Sequence, residues 1–292
     1  MPNKSPLISV VIPSYNQKIW LEEAILSVIN QNYEAVEIIL MDGGSTDGSL
    51  DIIEKYKSHF SYWVSEKDNG QTDALIKGFE KSNGDLMCWV NSDDILLPNT
   101  FNTAAKYYLK DKEIAILFGD MLLIDKDGLI IKCFKSLKYF HGFFAKKGHW
   151  LFNGTGGFFS RKHYIAVGGL HVELYYVMDS DLYMRILQSG GRCKHIGMYS
   201  GGFRKHEDAK TVAGADNLLN SPKESKNEHY EAAKKYWTES SVIGYKQKRW
   251  RIIYYILQIL TGNFTMYFST LRWKGKNYKH FIKHLNSKKI KN

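Results

Sequence analysis

The chain has 292 residues, 44% of them hydrophobic and 24% charged, a balance that supports a substantial core plus an appendage and excludes intrinsic disorder. Its formal net charge of +10 sits at one end: residues 240–292 hold 12 Lys/Arg and no Asp or Glu, leaving 28 basic against 30 acidic residues, a net of −2, elsewhere. Duplex-binding proteins spread positive charge over a working face, so nucleic acid is excluded as the expected partner.

The opening residues, MPNKSPLISVVIPSYN, have a short apolar run broken by Pro13 and lack the apolar core and cleavage site of a secretory leader. Three scattered cysteines (Cys88, Cys133 and Cys193) with no CxxC pair argue against a disulfide framework or a zinc cluster. Both features point to a cytoplasmic protein. Leu7–Ile12 reads as a buried strand, and Leu21, Ala24, Ile25 and Val28 then recur at helical spacing. Val36–Met41 is a second strand, closed by Asp42-Gly43-Gly44. A helix with Leu50 and Ile53 on one face follows, capped by Asp47 or a neighbouring Ser/Thr. Ser61–Ser65 is a third strand, with Thr72 as cap for a helix over Asp73–Lys81. Leu86–Val90 is a fourth, followed at once by Asn91-Ser92-Asp93-Asp94. This alternation predicts an α/β fold, a mostly parallel sheet flanked by helices on both faces. Ligands of such sheets bind beyond the carboxyl ends of the strands. Ser14-Tyr15-Asn16, Asp42, Glu66–Asp73 and Asn91–Asp94 all fall there.

Further along, Ile114–Gly119 reads as a strand and Asp125-Lys126-Asp127-Gly128 as a hairpin turn. Gly154–Ser160 is a Gly-rich aromatic stretch, Met178–Gln188 has helical spacing, and another strand ends near Gly201-Gly202. The polar stretch Asp216–Glu228 marks a boundary, beyond which the sequence is helical and basic.

Two constellations carry chemistry. The adjacent carboxylates of Asp93 and Asp94, with no Lys or Arg beside them, repel one another and suit Mg²⁺ or Mn²⁺ bridging a diphosphate; the same residues also suit a solvated turn that caps a helix. The loop Asp42–Gly48 has glycines that let amides approach a phosphate, but it lacks the Lys of a P-loop and its two Asp repel anions. Asp42 accepting hydrogen bonds from a base or ribose fits better, beside the plain alternative of a capped turn.

The strings VVIPSYN, EIILMDGGSTDGS, SEKDNGQTDALIKG and CWVNSDDILLPNT, then GTGGFFSRKHYIAVGGL and VMDSDLYMRI, resemble in this order the inverting glycosyltransferases of family 2 over Leu7 to His206. The resemblance implies the GT-A fold, a nucleotide-sugar donor, UDP first, and a divalent cation, Mn²⁺ or Mg²⁺. It further implies that Pro13, Ser14 and Tyr15 line the nucleotide pocket, that Asp42 contacts the base, and that Asp93 approaches the ribose or the metal. Asp94 and His206 would bind the metal, and Asp179, with Asp181 as its understudy, would be the general base. Arg185 would orient the Asp181 carboxylate. Relatives carry Arg-Asn in the third helix where this chain has Leu75-Ile76, so donor contacts there pass to a helix that opens with Gln71 and Asp73.

Residues 1–215 are thus expected to form the nucleotide-sugar-binding catalytic domain and 216–292 a helical basic region. Arg249-Trp250-Arg251 opens an apolar run too short to span a bilayer, which takes about 20 residues. Basic flanks and aromatics fit a helix lying on the inner face of an anionic membrane, beside a saccharide acceptor that analogy makes lipid-linked; helices packed on the catalytic domain are the alternative. A catalytically inactive nucleotide-sugar-binding or scaffold protein is the competing function. A dinucleotide-dependent dehydrogenase is disfavoured, since Pro13-Ser14-Tyr15-Asn16 stands where GxGxxG belongs.

Overall fold

The computed structural model describes residues 5–139, 141–147, 155–210, 223–237 and 264–289, with residues 249, 252, 253, 256 and 257. The first half alternates as its periodicities require: β1 (Ile8–Ser14), α1 (Lys18–Ile29), β2 (Val36–Asp42), α2 (Ser49–Tyr56), β3 (Tyr62–Ser65), α3 (Gln71–Glu80) and β4 (Leu86–Trp89). β1 pairs in parallel with β2 on one side and β4 on the other, and β2 pairs in parallel with β3. The chain winds outward from β1 to β3 and returns through α3 to the far side of β1. Right-handed crossovers therefore put α1 and α2 on one face and α3 on the other. The pleat sorts the apolar strand residues accordingly. Ile8, Val10 and Ile12 pack with Leu21, Ile25 and Ile53, while Val11, Met87 and Trp89 pack with Leu75 and Phe79. All seven residues of β1 are buried, as a strand covered on both faces must be. At Gly78 a Cβ would lie 2.5 Å from Val11 Cγ1, so glycine lets α3 approach β1 closely.

The second half comprises β5 (Ile95–Leu96), α4 (Thr100–Lys110), β6 (Ile114–Asp125), β7 (Ile130–Phe134), α5 (His141–Ala145), β8 (Phe158–Ser160), α6 (Arg161–Ala166), α7 (Met178–Gln188) and β9 (Arg192–Lys205). The sheet runs β3-β2-β1-β4-β8-β6-β9-β5, with β7 paired to β6. β8 is antiparallel to both β4 and β6, and β9 is parallel to β6, so the sheet is mixed beyond β4. The strand expected at Ile114–Gly119 continues to Asp125 because the long strand β9 pairs with it as far as Asp125, and the hairpin turn follows as expected.

Three local expectations change. Thr72 is not the cap of α3: the helix starts two residues earlier, at Gln71 after Gly70 at φ +99°, and Thr72 Oγ1 donates instead to the Leu174 carbonyl at 2.6 Å. Leu50 is exposed while Ile53 is buried, since three residues along a helix leave about 60° between side chains. Gly48, at φ +91°, occupies the N-cap of α2, and Asp47 acts one residue earlier. Its Oδ1 accepts from Ser49 N at 2.9 Å and its Oδ2 from Lys18 N, at the start of α1, at 2.8 Å.

The basic region contributes α8 (Lys223–Tyr236), α9 (Phe264–Trp273) and α10 (Tyr278–Lys289). Trp273, Tyr278 and Phe281 share a core with Leu122, Ile124, Ile130 and Tyr199, and Tyr278 Oη donates to Glu23 Oε1 at 2.6 Å. These helices pack on the sheet, yet Tyr267, Phe268 and Leu271 of α9 are each at least 60% exposed. The expected boundary at 215/216 and most of the run from Arg249 to Leu260 lie outside the described residues. Among the described residues no helix is long and apolar enough to cross a membrane.

Candidate active site

Because strand order reverses at β1 and β4, the loops beyond their carboxyl ends splay apart and leave a cleft of about 1190 Å³. Pro13, Ser14 and Tyr15 line it from β1. Ser14 is buried, and its Oγ has no partner among the described residues. Asp42, at the end of β2, is buried beneath the lining. Its Oδ2 accepts from Gly44 N at 3.1 Å, Ser45 N at 2.9 Å and Ser65 Oγ at 2.6 Å, and its Oδ1 from Ser45 Oγ at 2.6 Å. The carboxylate thus pins the Gly43-Gly44 turn, which does line the cleft. Asp73 also lies behind the lining. Its bond from Asn69 N at 3.0 Å and ion pair with Lys77 at 3.0 Å hold its carboxyl below the usual range and brace the turn that presents Gln71.

The adjacent carboxylates after β4 part company. Asn91, Ser92 and Asp93 line the cleft, whereas Asp94 turns inward and is 2% exposed. Asp94 Oδ1 accepts from Arg204 N at 2.9 Å and Oδ2 from Asn91 Nδ2 at 3.0 Å. Burial first, and the Asp93 charge second, push the Asp94 carboxyl well above the usual carboxylate range. Asp93 Oδ2 stands 3.0 Å from His206 Nε2, on the loop after β9. The His206 ring lies 4.0 Å from the Trp20 ring, and its buried Nδ1 has no partner among the described residues. Asp93 and His206 therefore come together, while Asp94 sits behind them.

At the start of α7, Asp179 lines the cleft. Its Oδ1 accepts from Ser180 N at 2.6 Å and Ser180 Oγ at 3.0 Å, leaving Oδ2 for another proton. Burial raises its carboxyl above the ordinary value despite those bonds and the attraction of Lys210. Asp181 points the other way, fully buried. Arg185 clasps its Oδ2 through Nε at 2.9 Å and a terminal nitrogen at 2.7 Å, and Trp237 Nε1 donates to Oδ1 at 3.3 Å. Sequence spacing alone leaves both carboxylates open; helix rotation turns one toward the cleft and one toward the core.

Three groups near the site escape sequence reasoning. Arg204 is 2% exposed, donates through Nε to the Asp93 carbonyl at 2.8 Å, and pairs with Glu23. A lone Arg in GGFRKH carries no signal that it will be buried. Glu228 of α8 accepts the amides of Tyr175, Tyr176 and Val177 just before α7, a contact across 51 residues or more that no local pattern announces. Lys210 lines the cleft and donates to Gln71 Oε1 at 2.6 Å.

Asp93 and His206 supply one carboxylate and one imidazole, and no three such ligands converge among the described residues. A hard divalent ion fits this set, because such ions commonly take one or two protein ligands and complete their shell with phosphate oxygens and water. Among the described residues no second hydrogen bond tethers the His206 ring through Nδ1.

The sequence profile of glycosyl transferase family 2 matches residues 9–166, more than half the chain. An uncharacterized glycosyltransferase of Haemophilus influenzae is 31% identical over 136 residues, 46% of this chain and 54% of its own length. A putative teichuronic acid biosynthesis glycosyltransferase, TuaG, of Bacillus subtilis is 30% identical over 133 residues, 44% and 52% respectively. This chain therefore spans about half the length of these relatives. Among solved structures, the mannosyltransferase PcManGT of Pyrobaculum calidifontis, in complex with GDP-Man and Mn²⁺, superposes with a TM-score of 0.59 at 15% identity, covering 87% of this chain and 74% of that one. TarS residues 1–349 of S. aureus, in complex with UDP-GlcNAc, gives 0.57 at 15% identity, covering 78% and 65%. At such identity these two likenesses show the GT-A fold.

Proposed function

Because the chain belongs to glycosyl transferase family 2, we propose that it is an inverting transferase moving a sugar from a nucleoside-diphosphate donor, UDP first, to an acceptor hydroxyl in surface-polysaccharide assembly. The observation that carries this reading is that Asp93, backed by His206, and Asp179 line one cleft. Pro13, Ser14 and Tyr15 receive the nucleotide. Asp42 and Asp73 act through the turns they pin, Gly43-Gly44 and Asn69–Gln71. Asp93 and His206 would hold Mn²⁺ or Mg²⁺, with Asp94 as the buried support of the loop. When bound, that ion supplies positive charge to the departing diphosphate.

The acceptor oxygen attacks the anomeric carbon as the bond from that carbon to the phosphate oxygen breaks. The electron pair leaves with the nucleoside diphosphate, and the hydroxyl proton passes to Asp179 Oδ2. Burial raises this carboxyl, which makes its ionised form the better proton acceptor. One base and one in-line displacement invert the anomeric centre. A bilayer face is the proposed setting: the exposed Tyr267, Phe268 and Leu271 on α9, with basic Arg272, Lys274 and Lys276 beside them, suit an anionic lipid surface and a lipid-linked acceptor.

Calorimetric titration of UDP, GDP and dTDP, with and without Mn²⁺, is the first test, followed by transfer assays with the sugar nucleotides of whichever binds. Metal-dependent binding is expected. Failure of UDP, GDP and dTDP alike would refute the transferase reading.

A further inference from the structure

Lys210 lies four residues after His206, and its side chain enters the cleft half-buried. Its ammonium donates to Gln71 Oε1 at 2.6 Å and stands 4.3 Å from the centre of the Tyr175 ring. Gln71 Nε2 in turn donates to Asn91 Oδ1 at 2.6 Å, and Asn91 Nδ2 donates to Asp94 Oδ2 at 3.0 Å. This chain fixes which way the Gln71 amide faces. With its nitrogen committed to Asn91, only its oxygen is left for the lysine. The ammonium is therefore placed by residues from the end of β4, the start of α3 and the approach to α7.

The charge so placed is poorly compensated. Its hydrogen-bond acceptor is a neutral amide, and among the described residues no carboxylate lies within ion-pairing distance of Nζ. Burial pulls the Lys210 pKa down to about 8 against the attraction of Asp179, Glu228 and Asp93. A desolvated ammonium short of negative charge is costly until an anion arrives. The third helix sends the cleft no cation of its own: Leu75 is in the core, Ile76 packs against it, and Lys77 is taken by Asp73. Lys210 lines the same cleft as Asp93 and Asp179, and both carboxylates attract it.

We propose that Lys210, steered by Gln71 and Tyr175, is a binding site for the sugar-bearing phosphate of the donor and balances the charge left on that phosphate when the anomeric bond breaks. This rests on the transferase reading. Lys210 keeps its proton throughout; the electron pair of the broken bond stays on the phosphate oxygen, and the acceptor proton goes to Asp179.

The test is calorimetric titration, in Mn²⁺, of the nucleoside diphosphate that binds the wild-type chain and of its monophosphate, which lacks the sugar-bearing phosphate. The proteins are wild type, Lys210→Met and Lys210→Gln. Removing this lysine strands no paired carboxylate, so both variants should fold with an unchanged thermal midpoint. Affinity for the diphosphate should fall on the order of tenfold or more, the loss of a charge-assisted hydrogen bond, while the monophosphate changes less than twofold. Equal diphosphate affinity in wild type and both variants overturns the assignment. So does an equal loss for both nucleotides, which would mean that Lys210 shapes the pocket as a whole. If no nucleoside diphosphate binds the wild-type chain, the transferase reading itself fails and carries this inference with it.

Discussion

Replacing Arg204 with Met removes the buried guanidinium that ties the Asp93 loop to the rest of the molecule. Breaking a buried ion pair from one side costs about 3–5 kcal/mol, mostly for the charge left behind. Here that share is smaller. The Glu23 side chain is 29% exposed and keeps Tyr278 Oη at 2.6 Å and Lys279 Nζ at 3.2 Å, so about 2 kcal/mol is the reasonable portion. The Asp93 carbonyl loses its 2.8 Å donor, which adds about 1 kcal/mol or more for an unsatisfied acceptor. The bonds to the Asp125 and Lys126 carbonyls, both 3.3 Å, are long and add little. The total is about 3 kcal/mol, or roughly 6–12 °C in thermal midpoint for a chain of this class. Urea denaturation followed by circular dichroism measures it. The folded fraction of Arg204→Met should also bind UDP more weakly in Mn²⁺, because Asp93 has lost its backbone anchor. A destabilisation below about 1 kcal/mol, with unchanged UDP affinity, would refute the view that this guanidinium holds the loop.

The general base is tested by Asp179→Asn, which preserves an acceptor for Ser180 but removes the proton sink. Turnover should fall by about 10²–10⁴-fold with donor affinity unchanged, and retention of full turnover would remove Asp179 from the mechanism. Since burial raises this carboxyl, the base is lost as pH falls through a value above the ordinary Asp figure of about 3.9; a pH–rate profile with no acid limb above that value would contradict it. Gly78→Ala should destabilise, because helix propensity favours Ala by about 1 kcal/mol but overpacking against Val11 at 2.5 Å costs about 1–3 kcal/mol; a raised thermal midpoint would show that α3 can back away from β1. Sedimentation with vesicles should show binding that needs anionic lipid and weakens when Tyr267, Phe268 and Leu271 are changed together to Ser. Binding that is equal on neutral vesicles, or indifferent to the triple change, would detach α9 from the membrane.

Local pattern determines a great deal of this protein. The largely apolar runs of β1 and β4 and the helical spacing of Leu21, Ala24, Ile25 and Val28 reflect burial that neighbouring residues impose on one another. They suffice for a parallel α/β layering with its polar loops at the carboxyl ends. The place of Asp93 on those loops was legible for the same reason, whereas Asp179, in the first turn of α7, was legible only through the family resemblance. What tertiary structure alone decided is which member of each acidic pair faces the cleft. Asp94 turns inward because β9 offers Arg204 N and the Asn91 side chain closes over it, and Asp181 does so because Arg185 and Trp237 wait in the core. The same holds for Glu228 on the amides before α7, for Lys210 on Gln71, and for the basic C-terminal helices, whose Trp273 and Phe281 join the sheet while Tyr267 and Phe268 stay outside. Hydrophobic periodicity encodes burial within one element, whereas a buried charge is tolerated only through partners that distant segments bring, and those partners exist only once the chain has closed on itself.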